Sequence, residues 1–324
     1  MMTQSRILCG LLLFQSGSLP SWAIIFVSTD NALYNTSEPV GTLAGSGWQY
    51  LGNWNGFVGT QISPSHFITA THVGGSVGGS FTGSNGQSYT TTAVTQLNDL
   101  AIWTVSGNLP TVAPLYLGSN EGNLDMVVFG RGVGRGAELT ANDATDANKI
   151  RGWAWGGNSA LRWGTNRFEV AYANYPVVGP AMSAGFDRLG GDNEATVGSG
   201  DSGGATFVLN GGKWELAGVV YGVQSNVRTT PTGTPVNGAI YDFGGLYGAS
   251  SGQLIIADEF TDIPASFVVS RISADSNQQW ILTSVPESSS YLVSVAALLS
   301  CWAGYRTFRR TGDALGQVDR RSVD

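Results

Sequence analysis

One glycine-rich segment of the chain carries a hydroxyl group in a setting suited to chemistry. It runs from Gly198 to Gly204 and reads Gly-Ser-Gly-Asp-Ser-Gly-Gly. A serine flanked by aspartate and glycines is unfavourable in a helix or a strand, and glycine adopts backbone conformations that other residues avoid. The segment therefore predicts a tight turn that presents the Ser202 hydroxyl while two backbone N–H groups point at the same spot.

Two further segments contain the groups that would make this hydroxyl a nucleophile. Neutral serine needs a base within hydrogen-bond reach, and His72 is one of only two histidines in the chain. The other, His66, lies in a Ser-Pro-Ser-His segment and is interpreted as a surface turn residue. Asp99 precedes an apolar run that predicts a buried strand. A carboxylate on the second ring nitrogen would fix the histidine tautomer and stabilise the imidazolium.

These motifs carry a family resemblance. The Ile-Thr-Ala-Thr-His segment ending at His72, the Asn-Asp-Leu-Ala-Ile segment containing Asp99 and the Gly-Asp-Ser-Gly-Gly run around Ser202 resemble the trypsin/chymotrypsin-like serine peptidase family. The resemblance spans roughly residues 24–282 and is specific at the motifs. It implies His72 as the general base, Asp99 as its orienting acid and Ser202 as the nucleophile. It also implies an oxyanion hole formed by the N–H groups of Gly200 and Ser202.

The composition predicts an all-β fold. The chain holds 46 glycines among its 324 residues, and short runs rich in Val, Ile, Tyr and Trp alternate with Gly, Asn, Ser and Pro clusters. The family resemblance implies two six-stranded antiparallel β-barrels of chymotrypsin type with the site in the cleft between them. The expected limits within a peptidase domain of 24–284 are about 24–118 for the first barrel, 119–258 for the second and 265–282 for a short C-terminal helix.

The amino-terminal segment 1–23 is predicted to be a signal peptide. A basic start up to Arg6 precedes an apolar stretch from Ile7 to Phe14, and Ser21-Trp22-Ala23 forms a small-x-small cleavage site. Cleavage after Ala23 by signal peptidase is expected.

The far end of the chain resembles the PEP-CTERM sorting signal of Gram-negative bacteria, over 285–310 with a polar tail at 311–324. A Pro-Glu pair at 286–287, an apolar stretch from Tyr291 to Tyr305 and a basic stop at residues 306, 309 and 310 are its elements. The resemblance implies an exosortase-like processing enzyme and membrane contact before processing. A plain membrane anchor is the alternative. Both interpretations place the body outside the cytoplasm, at the cell surface or in the extracellular space.

Charge and cysteine content limit the partners. The net charge is −7, and the body has no basic clusters, which argues against nucleic acid. The glycine-arginine tract from Gly130 to Gly136 follows an apolar strand and opens no helix, so it is not a phosphate loop. The only cysteines, Cys9 and Cys301, lie in the end segments, so the body has no disulfide. No cofactor is expected, and calcium stays open.

Activation and specificity rest on single residues. In animal members of the resembled family a freed amino terminus pairs with the aspartate before the nucleophile. Asp201 would accordingly pair with the amine of Ile24, with Arg131 as a rival partner and turn capping as a third possibility. Thr196 stands six positions before Ser202, where trypsin-like members carry an acid. This residue does not favour cleavage after Lys or Arg, and a small or apolar residue before the cut is expected.

The predicted function is that of an exported serine endopeptidase acting on proteins or peptides. Two alternatives stay open at this point. One is a surface-attached binding protein that keeps the fold without turnover. The other is an esterase or another acyl hydrolase that uses the same residues on a non-peptide carbonyl.

Overall fold

The structure is a computed structural model that describes residues 23–141, 149–157, 160–256 and 262–285. The predicted signal peptide up to residue 22 and the predicted sorting segment beyond residue 285 lie outside these ranges. No helix in them is long and apolar enough to cross a membrane.

The first half forms a closed antiparallel barrel of six strands. A two-residue strand β1 (Ile25–Phe26) and short 3-10 turns at Gly41–Leu43 and Trp48–Tyr50 precede it. Neighbouring strands follow the order β2-β3-β4-β7-β6-β5. Their bounds are β2 Leu51–Trp54, β3 Phe57–Ser63, β4 His66–Ala70, β5 Ser80–Thr82, β6 Ser88–Leu97 and β7 Leu100–Val105.

Aromatic side chains fill one end of this barrel. Trp54, Phe67 and Phe81 are fully buried, and Trp103 packs on Trp54 with ring centroids 4.8 Å apart. Gly59 makes room for the two phenylalanine rings, since a Cβ there would lie 2.7 Å from Phe67 and 2.8 Å from Phe81. Burial of large aromatic rings is a strong source of stability in a body that has no disulfide.

The second half is built on a seven-stranded antiparallel sheet with the order β11-β8-β15-β16-β20-β13-β12. A five-stranded sheet, β19-β17-β18-β10-β9, lies beside it, and β14 pairs with β1. The bounds are β8 Asp125–Gly130, β9 Gly134–Thr140, β10 Ile150–Gly156, β11 Arg162–Arg167, β12 Val170–Tyr175, β13 Gly179–Gly185, β14 Ala195–Thr196, β15 Ala205–Asn210, β16 Lys213–Val223, β17 Asn226–Arg228, β18 Val236–Ile240, β19 Tyr247–Gly248 and β20 Ser266–Arg271.

The all-β class is confirmed. Of the two six-stranded barrels that the resemblance implies, the first closes as expected, while the described part of the second half forms the seven- and five-stranded sheets. The described chain is mostly β-structure, with one closed six-stranded barrel, further antiparallel sheets and a helix near its carboxyl end, α1 (Asp275–Ser284). The two halves share a core, because Val58 and Ile68 of the barrel pack in one cluster with Phe129 and Phe207 of the sheet. Ile281 of α1 joins the same cluster, so the helix packs on the shared core.

Two predicted limits are wrong. The range 265–282 is not one helix, because Ser266–Arg271 forms strand β20 between β16 and β13 and only the part from Asp275 is helical. The Phe-Val-Val sequence of this strand suits a pleated sheet better than a helix. The first half also does not begin at residue 24. Ile25 pairs with Thr196, so the start of the body belongs spatially to the second half.

Candidate active site

Strand register brings His72 and Asp99 together. Ala70 at the end of β4 pairs with Leu100 at the start of β7, so the residues just outside both strands meet. The N–H of Thr71 donates to the carbonyl oxygen of Asp99 at 2.8 Å and extends the pairing by one step. His72 follows in a 3-10 turn, Thr71–Val73, and its Nδ1 lies 2.9 Å from both carboxylate oxygens of Asp99.

Ser202 reaches the same place from the other half of the molecule. Its Oγ lies 2.7 Å from Nε2 of His72, although the two residues are 130 positions apart. The loop between β14 and β15 presents it, and the N–H of Gly203 donates to the carbonyl of Val220 on β16 at 2.9 Å. Gly203 has φ +75° and lies so close to β4 that a Cβ would be 2.2 Å from Oγ1 of Thr69. Only glycine permits this approach between the halves.

The surroundings of Asp99 and His72 determine which ring nitrogen of the histidine carries the proton. The Asp99 side chain is 2% exposed and that of His72 is 39% exposed. The backbone N–H of His72 also donates to Oδ1 of Asp99, at 3.2 Å. Because a carboxylate accepts at Nδ1, that nitrogen carries the proton and Nε2 accepts from the Ser202 hydroxyl. The arrangement can therefore move the serine proton to the imidazole.

The peptide planes of the loop orient the N–H groups of Gly200 and Ser202. The carbonyl oxygen of Ser199 accepts from the N–H of Val133 at 2.7 Å, and that of Asp201 accepts from Gly204 at 2.9 Å. In a trans peptide the N–H points opposite to the carbonyl of the preceding residue. The N–H groups of Gly200 and Ser202 thus point away from these inner partners. Neither has a protein acceptor in the part of the chain that the structure describes.

Comparisons with known proteins give a fold likeness only. No family model matches the chain, and no curated protein matches it. Among solved structures, the inactive form of the Rv3671c protease is similar in fold. The alignment covers 81% of this chain and 99% of that chain, at 17% sequence identity and a TM-score of 0.41. For an inactive Ser-to-Ala mutant of Rv3671c from M. tuberculosis H37Rv, the alignment covers 82% of this chain and 99% of that chain, at 17% sequence identity and a TM-score of 0.42. The chemistry of the site has to follow from its own geometry.

The carboxylate of Asp201 is fully buried behind the loop and accepts three backbone hydrogen bonds. The donors are Gly132 at 2.6 Å, Gly198 at 2.7 Å and Ile24 at 3.4 Å. Burial raises the pKa of Asp201 to about 7, while these N–H groups and the positive charge of Arg162 act in the opposite direction. Gly130 makes the site possible, since a Cβ there would lie 2.0 Å from Oδ1 of Asp201.

The structure does not pair Arg131 with Asp201. Within the described residues no ion pair joins them, and Nε of Arg131 has no hydrogen-bond partner. The glycine-arginine tract contributes the backbone N–H of Gly132 instead, because β8 ends at Gly130 and turns past the carboxylate. No helix follows, which agrees with the rejection of a phosphate loop.

Arg162 is the charged residue that sequence reasoning missed. It lies on β11 with 1% exposure, and its guanidinium donates to the carbonyls of Ala23 and Ile24 at 3.2 and 3.3 Å. It also donates to the carbonyls of Tyr34, at 2.8 Å, and Asn31. Burial lowers its pKa to about 10, and the attraction of Asp201 opposes that change. No motif marks it, because its partners are backbone oxygens that are remote in sequence.

Thr196 lies on β14 and Glu194 directly precedes that strand, but the two side chains have different surroundings. Thr196 is 1% exposed, pairs with Ile25, and its Oγ1 has no hydrogen-bond partner among the described residues. The buried carboxyl group of Glu194 accepts from Nδ2 of Asn166 at 3.0 Å and from the N–H of Asp187 at 3.1 Å. Burial raises the pKa of Glu194 to about 8, and Asp187 and Glu169 add to the rise, while that N–H lowers it.

Two further observations complete the site. The ring of Tyr221 on β16 stands edge-on to the imidazole of His72, with centroids 5.4 Å apart and an angle of 82°. Its carbonyl oxygen lies 3.5 Å from Oγ of Ser202. In the described ranges no group of three or more His, Cys, Asp or Glu side chains could hold a metal ion.

Proposed function

We propose that the chain is an exported serine endopeptidase. The observation that supports this most directly is the unbroken series of contacts from Asp99 through His72 to Ser202, at 2.9 and 2.7 Å. The three residues come from both halves of the molecule and are far apart in the sequence. A buried acid, a histidine and an accessible hydroxyl in this order are the parts of a nucleophilic relay.

The reaction follows from these contacts. Oγ of Ser202 attacks the peptide carbonyl carbon while its proton passes to Nε2 of His72. The oxygen that becomes negative accepts from the N–H groups of Gly200 and Ser202, each such donor being worth about 3 kcal/mol in the transition state. Collapse of the intermediate expels the amine, which takes the proton from His72 and leaves an acyl ester on Ser202. Water then attacks the ester carbon while His72 takes its proton. The bond between this carbon and Oγ breaks, Oγ of Ser202 receives the proton from His72, and the acid product leaves.

The substrate is proposed to be a protein or peptide with a small or apolar residue before the cut. Thr196 supplies no negative charge at the position that would face this residue. Glu194, two residues before Thr196, is buried and engaged by Asn166 and Asp187. A digest of a peptide library would test this. Cleavage confined to sites after Lys or Arg would contradict it.

Export and carboxyl-terminal sorting belong to the same proposal and rest on the sequence of the end segments. We expect the protein recovered from a Gram-negative host to begin at Ile24 and to fractionate with the cell surface or the medium. Amino-terminal sequencing checks the first expectation, and fractionation checks the second. A cytoplasmic protein that keeps residues 1–23 would contradict both.

A fluorophosphonate probe tests the relay itself, because a serine activated by a base attacks phosphorus and displaces fluoride. The protein recovered after export should be labelled, and Ser202→Ala and His72→Ala should not be. Ser199→Ala is the matched control, since Ser199 is an exposed serine of the same loop. Its labelling should stay at the wild-type rate.

The outcomes separate the rival functions. Absence of labelling in the wild-type protein would favour a binding protein and overturn the proposal. Labelling together with hydrolysis of simple esters but of no peptide in a library would favour an esterase. Equal labelling of wild-type protein and Ser202→Ala would show that another residue reacts.

A further inference from the structure

The hairpin formed by β12 and β13 belongs to the second half, yet it reaches toward His72. Tyr175 at the end of β12 packs against Tyr221 with ring centroids 6.3 Å apart, and Tyr221 packs edge-on against His72 at 5.4 Å. Tyr172 supports Tyr175 from behind at 5.3 Å. Edge-to-face contacts of this kind have a preferred geometry, so one ring constrains the orientation of the next. The series of rings gives the hairpin a connection to the imidazole.

The same hairpin also reaches the residue next to Asp99. Gly179 opens β13 with φ +73°, and a Cβ on it would lie 2.4 Å from Nδ2 of Asn98. Asn98 itself has φ +52° and directly precedes Asp99. The backbone of the hairpin therefore lies against the side chain of Asn98, the residue directly before Asp99. One hairpin thus contacts a neighbour of each member of the acid and base pair, Tyr221 beside His72 and Asn98 before Asp99.

The tip of the hairpin is strained. Val177 has φ +70° and is 72% exposed, and a β-branched residue in this region is a true outlier. Its neighbours on both sides are fixed, because Val178 is fully buried and Tyr175 pairs with Gly179. Such strain persists only where the surrounding structure determines the conformation, and it gathers at functional sites.

We propose that the β12–β13 hairpin is a clamp that holds His72 and Asp99 of the first half in register with Ser202 of the second, with Tyr175 and Gly179 as positioning residues. The proposal rests on the proposed function. A clamp is needed because His72 lies on a short turn with a partly exposed ring, while its hydrogen-bond partners come from two different halves. Misplacement by about 1 Å is enough to reduce such a reaction about 100-fold.

The first test compares Tyr175→Ala with Tyr175→Phe, which keeps the ring. Histidine labelled with carbon-13 at Cε1 gives two ring signals, and His66 serves as internal reference because Ser63 and Ser65 hold its ring at the start of β4. In Tyr175→Ala we expect the His72 signal to move and its Nδ1 proton to exchange faster, with the His66 signal unchanged. The Phe variant should restore the wild-type spectrum.

The kinetic part of this test separates positioning from substrate contact. The rate of fluorophosphonate labelling and kcat should fall about tenfold in Tyr175→Ala with KM little changed, since tenfold corresponds to one modest loss of transition-state stabilisation. A rise in KM at unchanged kcat, or a His72 signal that does not move, would overturn the clamp. If wild-type protein is not labelled at all, the proposed function fails while the histidine spectrum still decides on the clamp.

The second test uses Gly179→Ala with Gly45→Ala as its control. Both glycines have φ +73°, but a Cβ on Gly45 would meet nothing within 4 Å. Equal backbone strain is therefore introduced, and only the first variant presses on Asn98. We expect the His72 signal to move and labelling to slow in Gly179→Ala alone. Equal effects of the two variants would contradict a role of this contact.

Discussion

The backbone N–H of Ile24 donates a hydrogen bond to Oδ2 of Asp201 across 3.4 Å, joining residues 177 positions apart. Ile24 has φ +51°, a strained value for a β-branched residue, and the preceding Ala23 is fully buried. A chain that began at Ile24 would carry a positive charge at this nitrogen and would have no φ constraint there. Removal of residues 1–23 would thus relieve strain and neutralise a buried carboxylate.

This relationship predicts that the position of the new amino terminus controls activity. Insertion of one serine between Ala23 and Ile24 moves the amine by about 3.8 Å, the length of one residue. We expect the rate of fluorophosphonate labelling to fall at least about tenfold. Asp201 then loses its charged partner, so this ion pair no longer holds the loop that contains Gly200. Amino-terminal sequencing must show that cleavage still follows Ala23. Labelling at the wild-type rate would dismiss the amine hypothesis.

Replacement of Arg162 should be costly in stability. Arg162→Met leaves the carbonyls of Ile24, Asn31 and Tyr34 without this donor and removes a charge that stabilises ionised Asp201. Loss of one partner in a buried charged network costs about 3 kcal/mol. We expect a fall of that order in the free energy of unfolding, measured by denaturant titration.

The matched control for this prediction lies on the same strand. Arg167 pairs with Asp125, but their side chains are 59% and 78% exposed. A surface pair contributes less than about 1 kcal/mol, so Arg167→Met should change stability little. Equal losses in the two variants would mean that burial of Arg162 does not matter.

The sequence was sufficient for the all-β class and for selecting His72, Asp99 and Ser202, which the structure places within hydrogen-bond distance of one another. Repeated short apolar runs predict the strands, and the Gly-Asp-Ser-Gly-Gly run locates a turn because only glycine fits its backbone. The helix prediction over 265–282 is wrong at its start, because the family resemblance extended the helix across Phe267 and Val268, whose residue types favour a strand. Position between two other strands decided the conformation.

Residues that act through backbone atoms could not be found from the sequence. Arg162 binds carbonyl oxygens, and any residue can supply those. Gly130 and Gly132 belong to the glycine-arginine tract, and their role depends on the folded chain that places Asp201 beside them. Tyr175 shows the same limitation, because its contact with Tyr221 depends on how the hairpin folds over the sheet.

Glu194 should make stability fall with rising pH. Its folded-state pKa of about 8 is raised from an ordinary value of 4.5, so folding favours the protonated carboxyl group. The stabilisation is fully present below about pH 4.5 and is lost as the pH rises toward and through 8. Asp201, with a pKa of about 7, contributes in the same direction in the chain as it stands.

Glu194→Gln isolates this contribution, because glutamine keeps the shape but cannot lose a proton. From pH 5 to pH 8.5, the free energy of unfolding of the wild-type protein should fall more than that of the variant. The difference should be at least about 1.4 kcal/mol, which corresponds to one pKa unit. Parallel pH profiles from denaturant titration would contradict the assignment of this titration to Glu194.

Gly203→Ala should separate Ser202 from His72. The added Cβ would lie 2.2 Å from Oγ1 of Thr69 and 2.8 Å from the carbonyl oxygen of Val58, so the loop must move away from β4. Gly86→Ala is the control, because Gly86 has the same φ of +75° with nothing within 4 Å. The control should cost about 1 kcal/mol of stability from backbone strain alone.

The rate of labelling should fall about 100-fold in Gly203→Ala, the effect of a displacement of about 1 Å at the nucleophile. It should stay unchanged in Gly86→Ala. If Gly203→Ala is labelled at the wild-type rate, the close approach of the two halves at this glycine does not position Oγ of Ser202 at the imidazole of His72.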